Sequence, residues 1–265
     1  MANSQRPKYK TMTNREKYRF DDFTLDNYRR LIKLAKEKGF HFILHKDEFV
    51  PERKDVIWRH DVEFEPDIAL KMAQIEHEEG VSATYFFQLH SPLYNVAEPH
   101  YRELFHKIRD SGHCVGLHFD SAYWGITSEE QLNDYIKIDK EYLEKNMGVE
   151  IDTFSFHNNT PFTNSCLEYK YGGLVNSYAS YFKEHYNYCG DSLGYWRFDR
   201  LEDVLNDDKV RHLQVLTHDA NWSEEVLSPR KRFAKIMQAR AEQNIKGQVD
   251  FLHKNGMLCP DDNED

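Results

Sequence analysis

Apolar residues Leu25, Tyr28, Leu31, Ile32 and Ala35 recur at helical spacing, with Thr24 placed to cap and Gly39 to stop, so a helix is expected over 25–38. FHFIL (40–44) and DVIWRHD (55–61) read as strands, and Pro66 opens a helix that runs to Glu79 ahead of Gly80. The same rhythm continues with a strand over 82–89, a helix over 98–110, a strand over 113–119 and a long helix from Ser128 to Asn146. A strand over 151–157, shorter strands within 174–198, a strand over 211–218 and a last helix starting near Pro229 complete the pattern. Strands alternating with helices predict a mainly parallel sheet with helices outside it, and no internal sequence repeat is visible.

At 265 residues the chain can bury one large core. A single domain is expected over 21–257, with a polar arm at 1–20 and an acidic tail at 258–265 that ends in PDDNED. The formal net charge of −10 argues against a general nucleic-acid or anionic-membrane surface, which needs a concentrated basic face. Cys114, Cys166, Cys189 and Cys259 form no CxxC pair, so neither a disulfide framework nor a thiolate zinc site is expected. No run approaches the ~18 apolar residues of a membrane span, and the first residues lack the apolar run of a signal peptide. A cytoplasmic protein is the expectation.

Four titratable residues, Asp61, His118, His157 and His218, fall at the C-terminal ends of four different expected strands. In a β/α barrel those ends converge on one face, where active sites are built. In WRHDVE (58–63), alternation puts Asp61 and Glu63 on one side and His60 on the other. Such a pair can bind a cation and accept a proton, or simply be a solvated acidic loop. His118 and Asp120 share a face in the same way, whereas His113 begins its strand and reads as structural. His218 ends a strongly apolar strand and suits a general acid, oriented by Asp219 or by a distant carboxylate, for which Asp191 is the candidate. An internal ion pair is the competing reading of Asp191 and Arg197. Trp124 and Trp222 could stack on a ligand ring, and Arg59 and Arg197 could meet a phosphate or carboxylate, although packing and surface ion pairs are the commoner roles.

In order, WRHDVE, ATYFF, SGHCVGLHF, FSFH and LQVLTHDANW resemble the successive motifs of the polysaccharide deacetylases, carbohydrate esterase family four, over residues 55–222. The resemblance implies an α/β fold, a distorted and incomplete (β/α)7 barrel, with a divalent metal, zinc by expectation, held by one carboxylate and two histidines. It assigns Asp61 as general base, Glu63 as metal carboxylate, His118 as first metal histidine and His218 as general acid. Two departures stand out. Val62 separates the two acids where the family has adjacent aspartates, and Ala122 stands where the second metal histidine would follow the first by four residues. His157, where the family has an arginine, is expected to supply the missing ligand, with Asp120 and His60 as weaker substitutes. The implied activity is removal of an N-acetyl or N-formyl group from an amino sugar or nucleotide-sugar precursor of a surface polysaccharide, with Arg59, Trp124, Arg197 and Trp222 contacting the substrate. A hydrolase of a non-sugar amide, and a carbohydrate-binding protein without metal or activity, are the competing readings.

Overall fold

The computed structural model describes residues 13–259. Its first half comprises α1 (Asn14–Tyr18), α2 (Leu25–Glu37), β1 (His41–Ile43), β2 (Asp55–Val62), α3 (Pro66–Glu78), β3 (Thr84–Gln88), α4 (Pro99–Asp110) and β4 (Cys114–Asp120). There follow α5 (Ser121–Trp124), α6 (Glu129–Met147), β5 (Thr153–His157), α7 (Pro161–Ser165), β6 (Lys170–Tyr171) and β7 (Leu174–Asn176). The chain then forms α8 (Ser180–His185), β8 (Asn187–Gly190), α9 (Leu201–Asn206), β9 (His212–His218) and α10 (Pro229–Lys254).

The strands lie in the order β6-β7-β5-β4-β3-β2-β9-β8, with β1 on β2 beside the start of β3. All pairings are parallel except the β6–β7 hairpin. Seven strands, β7, β5, β4, β3, β2, β9 and β8, thus form the parallel wall. Two side-chain contacts show that the wall is rolled. Ser155 on β5 and Asp61 on β2 stand three strands apart, a separation of roughly 14 Å in a flat sheet, yet their side chains meet at 3.0 Å. Gln214 on β9 likewise reaches the carbonyl of Ser177, just beyond β7, at 3.2 Å. The seam between β7 and β8 stays unpaired, so the wall is an incomplete (β/α)7 barrel.

Alternation along each strand sorts side chains between two layers. On β2, Val56, Trp58 and Val62 face the helices and join the large core, while Ile57 packs inside the roll with Ile43, Val175, Ala179, Phe182 and Tyr186. Gly116 on β4 makes room for this interior, since a Cβ there would lie 2.6 Å from a Phe86 ring carbon and 2.8 Å from the Thr153 carbonyl oxygen.

The helix-facing layer also holds a buried polar knot. Glu76 of α3 takes a hydrogen bond from Tyr85 at 2.7 Å, pairs with His60 Nε2 at 2.7 Å, and is bonded by Tyr28. Burial alone would raise the Glu76 pKa, but His60, His113 and Tyr28 hold it below the ordinary value. His113, expected to be structural, is buried here and bonds the Ala73 carbonyl at 3.0 Å.

The expected elements are present within a residue or two, with Thr24 and Ser128 as caps of α2 and α6. The short helices α5, α7, α8 and α9 were not expected, because pieces of four to six residues carry too little apolar periodicity to read. The polar arm expected over 1–20 is structured where it is described. Thr13 caps α1 in a capping box, and Tyr18 packs on Tyr195 with ring centres 4.6 Å apart. Residues 1–12 of that arm and 260–265 of the tail lie outside the described residues. Among the described residues no helix is long and apolar enough to cross a membrane.

Candidate active site

Arg59 and Asp61 alternate inward on β2, and Glu63 follows one residue beyond the strand. The loop carrying Glu63 is fixed by Asp219, whose buried carboxylate accepts the backbone N–H groups of Glu63 at 3.3 Å, Phe64 at 3.0 Å and Glu65. Burial pushes the Asp219 carboxyl up to about 6, against the opposing pull of those amides. Asp219 therefore braces the loop and does not orient His218, a role the sequence left open for it.

Glu63 Oε1 lies 2.8 Å from His118 Nε2 on β4 and 2.8 Å from His157 Nδ1 at the end of β5, and the two ring nitrogens are 3.2 Å apart. Burial works to raise the Glu63 pKa, but the hydrogen bonds from His118 and His157 outweigh it and hold the carboxyl well below its ordinary range. For His157 burial acts downward, and Glu63 overrides it, leaving the ring more basic than usual. One carboxylate oxygen and two imidazole nitrogens within 4.8 Å of one another form a borderline-cation donor set. A tetrahedral zinc with bonds of about 2.0–2.1 Å spaces its ligand atoms by roughly 3.3 Å, slightly more than the separations here, so the residues fit such an ion.

The weaker ligand candidates point elsewhere. His60 faces the helix layer, bonded to Thr217 at 2.6 Å and to Glu76. Asp120 is used as the cap of α5, accepting the N–H groups of Ala122 at 3.0 Å and Tyr123 at 3.1 Å.

Behind the donor set, Ser155 Oγ lies 2.7 Å from His118 Nδ1 and 3.0 Å from Asp61 Oδ1. Arg59 Nη1 stands 4.0 Å from Asp61 Oδ1 and donates to Ser177 Oγ at 2.7 Å. Arg59 is fully buried, yet it lines the cavity into which Asp61 opens.

On β9, His218 Nδ1 pairs with Asp191 Oδ1 at 2.7 Å. Asp191, on the β8 side of the seam, also accepts the His218 backbone N–H at 3.2 Å and Trp222 Nε1 at 3.1 Å. Burial would lower the His218 pKa, but Asp191, with Glu63 and Asp61 nearby, pushes it up to about 10.

Asp61, Glu63 and His218 open into one cavity of about 940 Å³ that also includes Tyr188, Arg197 and Phe198. The tryptophans lie elsewhere. Trp222 is buried and serves as the hydrogen-bond brace of Asp191, and Trp124 stacks on Tyr135 at 4.3 Å and donates to Asp139 at 3.1 Å, outside the cavity lining. Their indole N–H groups find buried carboxylates, and neither ring lines the cavity. Arg197 and Asp191 form no ion pair, so the competing reading of that pair does not hold among the described residues. Ser155 and Asn158, whose amide lies 2.7 Å from His157 Nε2, were missed. Strand alternation puts Ser155 on the same face as His157, and that was the signal available for it.

No family profile matches the sequence, and a search of curated proteins finds no match. Among solved structures, the chain is similar to a family 4 carbohydrate esterase from Bacillus anthracis, at 15% identity over 80% of this chain and 85% of that one, with a TM-score of 0.45. It is also similar to the chitin deacetylase of Colletotrichum lindemuthianum, at 16% identity over 76% and 86% of the two chains, with a TM-score of 0.42. A family 4 pseudoenzyme from Bacillus anthracis matches at 13% identity over 73% and 63%, with a TM-score of 0.40. Superpositions this loose leave the function to be argued from the side chains. Among the solved structures that this chain resembles are family 4 carbohydrate esterases of Bacillus anthracis and Bacillus subtilis.

Proposed function

We propose that this protein is a divergent metal-dependent deacylase of the polysaccharide deacetylase type, hydrolysing the N-acetyl or N-formyl group of an amino sugar. The observation that carries the reading is the convergence of Glu63, His118 and His157 on one point, with the His218–Asp191 pair opening into the same cavity. Glu63, His118 and His157 would hold a divalent cation, zinc by their donor set, which would supply Lewis-acid polarisation of the acyl carbonyl and of water.

The chain's own residues do the rest. Asp61, held on Oδ1 by Ser155, takes the proton of the attacking water. His218, kept protonated by Asp191, gives its proton to the departing nitrogen, so the amine leaves neutral. The exposed ring of Phe198 and the Arg197 guanidinium on the cavity wall suit a sugar carrying an anionic group, such as a nucleotide-linked precursor in the cytoplasm.

The test is metal content of protein purified without chelator, followed by an amine-release assay on N-acetylated and N-formylated amino sugars and nucleotide sugars. Near-stoichiometric metal that is lost in His118→Ala and His157→Ala, together with amine release, is expected. Wild-type protein that takes up no metal on reconstitution overturns the reading and favours a carbohydrate-binding protein.

A further inference from the structure

Ser155 occupies an unusual place in the barrel. It is fully buried, lies between His118 on the neighbouring strand and Asp61 three strands away, and reaches both within hydrogen-bond distance. Its hydroxyl has one hydrogen. That hydrogen is donated to Asp61 Oδ1, so the bond with His118 must run the other way. His118 Nδ1 is the donor, and a ring proton sits there.

From these assignments we infer that Ser155 is a positioning residue that sets the metal-binding form of His118 and couples it to Asp61. With Nδ1 used as the donor to Ser155, Nε2 is the His118 nitrogen left to meet a cation, and it faces Glu63 Oε1 at 2.8 Å and His157 Nδ1 at 3.2 Å. A bound cation would take the place of the ring protons that His118 and His157 share with Glu63 Oε1. The same hydroxyl ties down one Asp61 oxygen, which leaves Oδ2 as the oxygen able to face water. One serine thereby fixes a ligand and the base together, so a displacement of Asp61 is felt at His118. This rests on the proposed metal-dependent reading but adds a residue and a coupling that the reading does not contain.

The coupling is tested by zinc affinity, measured by competition with a chromophoric chelator, for wild type, Ser155→Ala, Asp61→Asn and the double variant. Loss of such an outer partner weakens metal binding by about 10–100-fold, and Ser155→Ala is expected in that range. Asp61→Asn, which replaces the charged acceptor of Ser155 by a neutral one, should weaken zinc in the wild-type background and add little once Ser155 is gone, because both changes act on one chain of bonds. Ser155→Thr, which keeps the hydroxyl, should retain affinity within a few-fold. Asp61→Asn leaves the serine in place and provides a second route if Ser155→Ala fails to fold.

Wild-type zinc affinity in Ser155→Ala, or losses that multiply in full in the double variant, overturns the inference. A wild-type protein that binds no zinc is a different result, since it removes the proposed function and this coupling with it.

Discussion

Asp191 and His218 are joined at 2.7 Å across adjacent strand ends, with the carboxylate wholly buried and the imidazole opening to the cavity. Buried acid and half-buried base form a pair whose charge is kept only while both remain ionised. Asp191→Asn removes the charge that holds the ring protonated, so kcat is expected to fall by about 10²–10⁴-fold, the usual contribution of a positioned general acid. Steady-state kinetics on an N-acyl amino sugar checks this, and unchanged kcat would remove His218 from the acid role.

The pair also sets a pH window. The His218 pKa rises on folding from 6.5 to about 10, so its contribution to stability is full below 6.5 and is lost as pH climbs through about 10. Activity that needs the protonated ring should decline over the same alkaline limb. Melting temperature followed from pH 6 to 11 should show this loss in wild type and a smaller one in His218→Gln; parallel curves would contradict it.

Metal should stabilise the fold, because the three donors come from separate strand ends that converge only in the native state. At free zinc a hundredfold above Kd the gain is about 2.7 kcal/mol, visible as a rise in Tm that chelator reverses. Glu63→Gln removes the anionic ligand and should abolish most of that rise. Equal zinc-dependent shifts in Glu63→Gln and wild type would exclude this site as the place of binding.

Asp219 is the brace of the Glu63 loop. Asp219→Ala leaves the N–H groups of Glu63, Phe64 and Glu65 without their acceptor, a cost on the order of 1–3 kcal/mol for each buried donor left unpaired. Urea unfolding should show that loss, and zinc affinity should fall with it as Glu63 loses its anchor. Full zinc affinity in a destabilised variant would separate the two roles.

Gly116 tests the rolled sheet itself. Gly116→Ala puts a methyl group 2.6 Å from the Phe86 ring, and overpacking of this kind costs about 1–3 kcal/mol. Calorimetry should record a lower Tm, and a Tm equal to wild type would mean that the barrel interior is looser than the Phe86 contact shows.

Much of this protein was legible along the chain. The alternation of 3.6- and 2-residue periods identified the long helices and the parallel strands, because each buries one face and repeats its apolar residues accordingly. Strand-end position pointed to Asp61, His118, His157 and His218, and alternation in WRHDVE added Glu63. Period and position, however, say nothing about partners from distant segments. That Trp222 donates to Asp191, and that Ser155 joins His118 to Asp61, follow from the tertiary packing. Local sequence determined which residues face inward, since strand geometry fixes that within two residues. Only the tertiary structure decided which inward residues meet, because curling the sheet brings together side chains that are three strands and 94 residues apart.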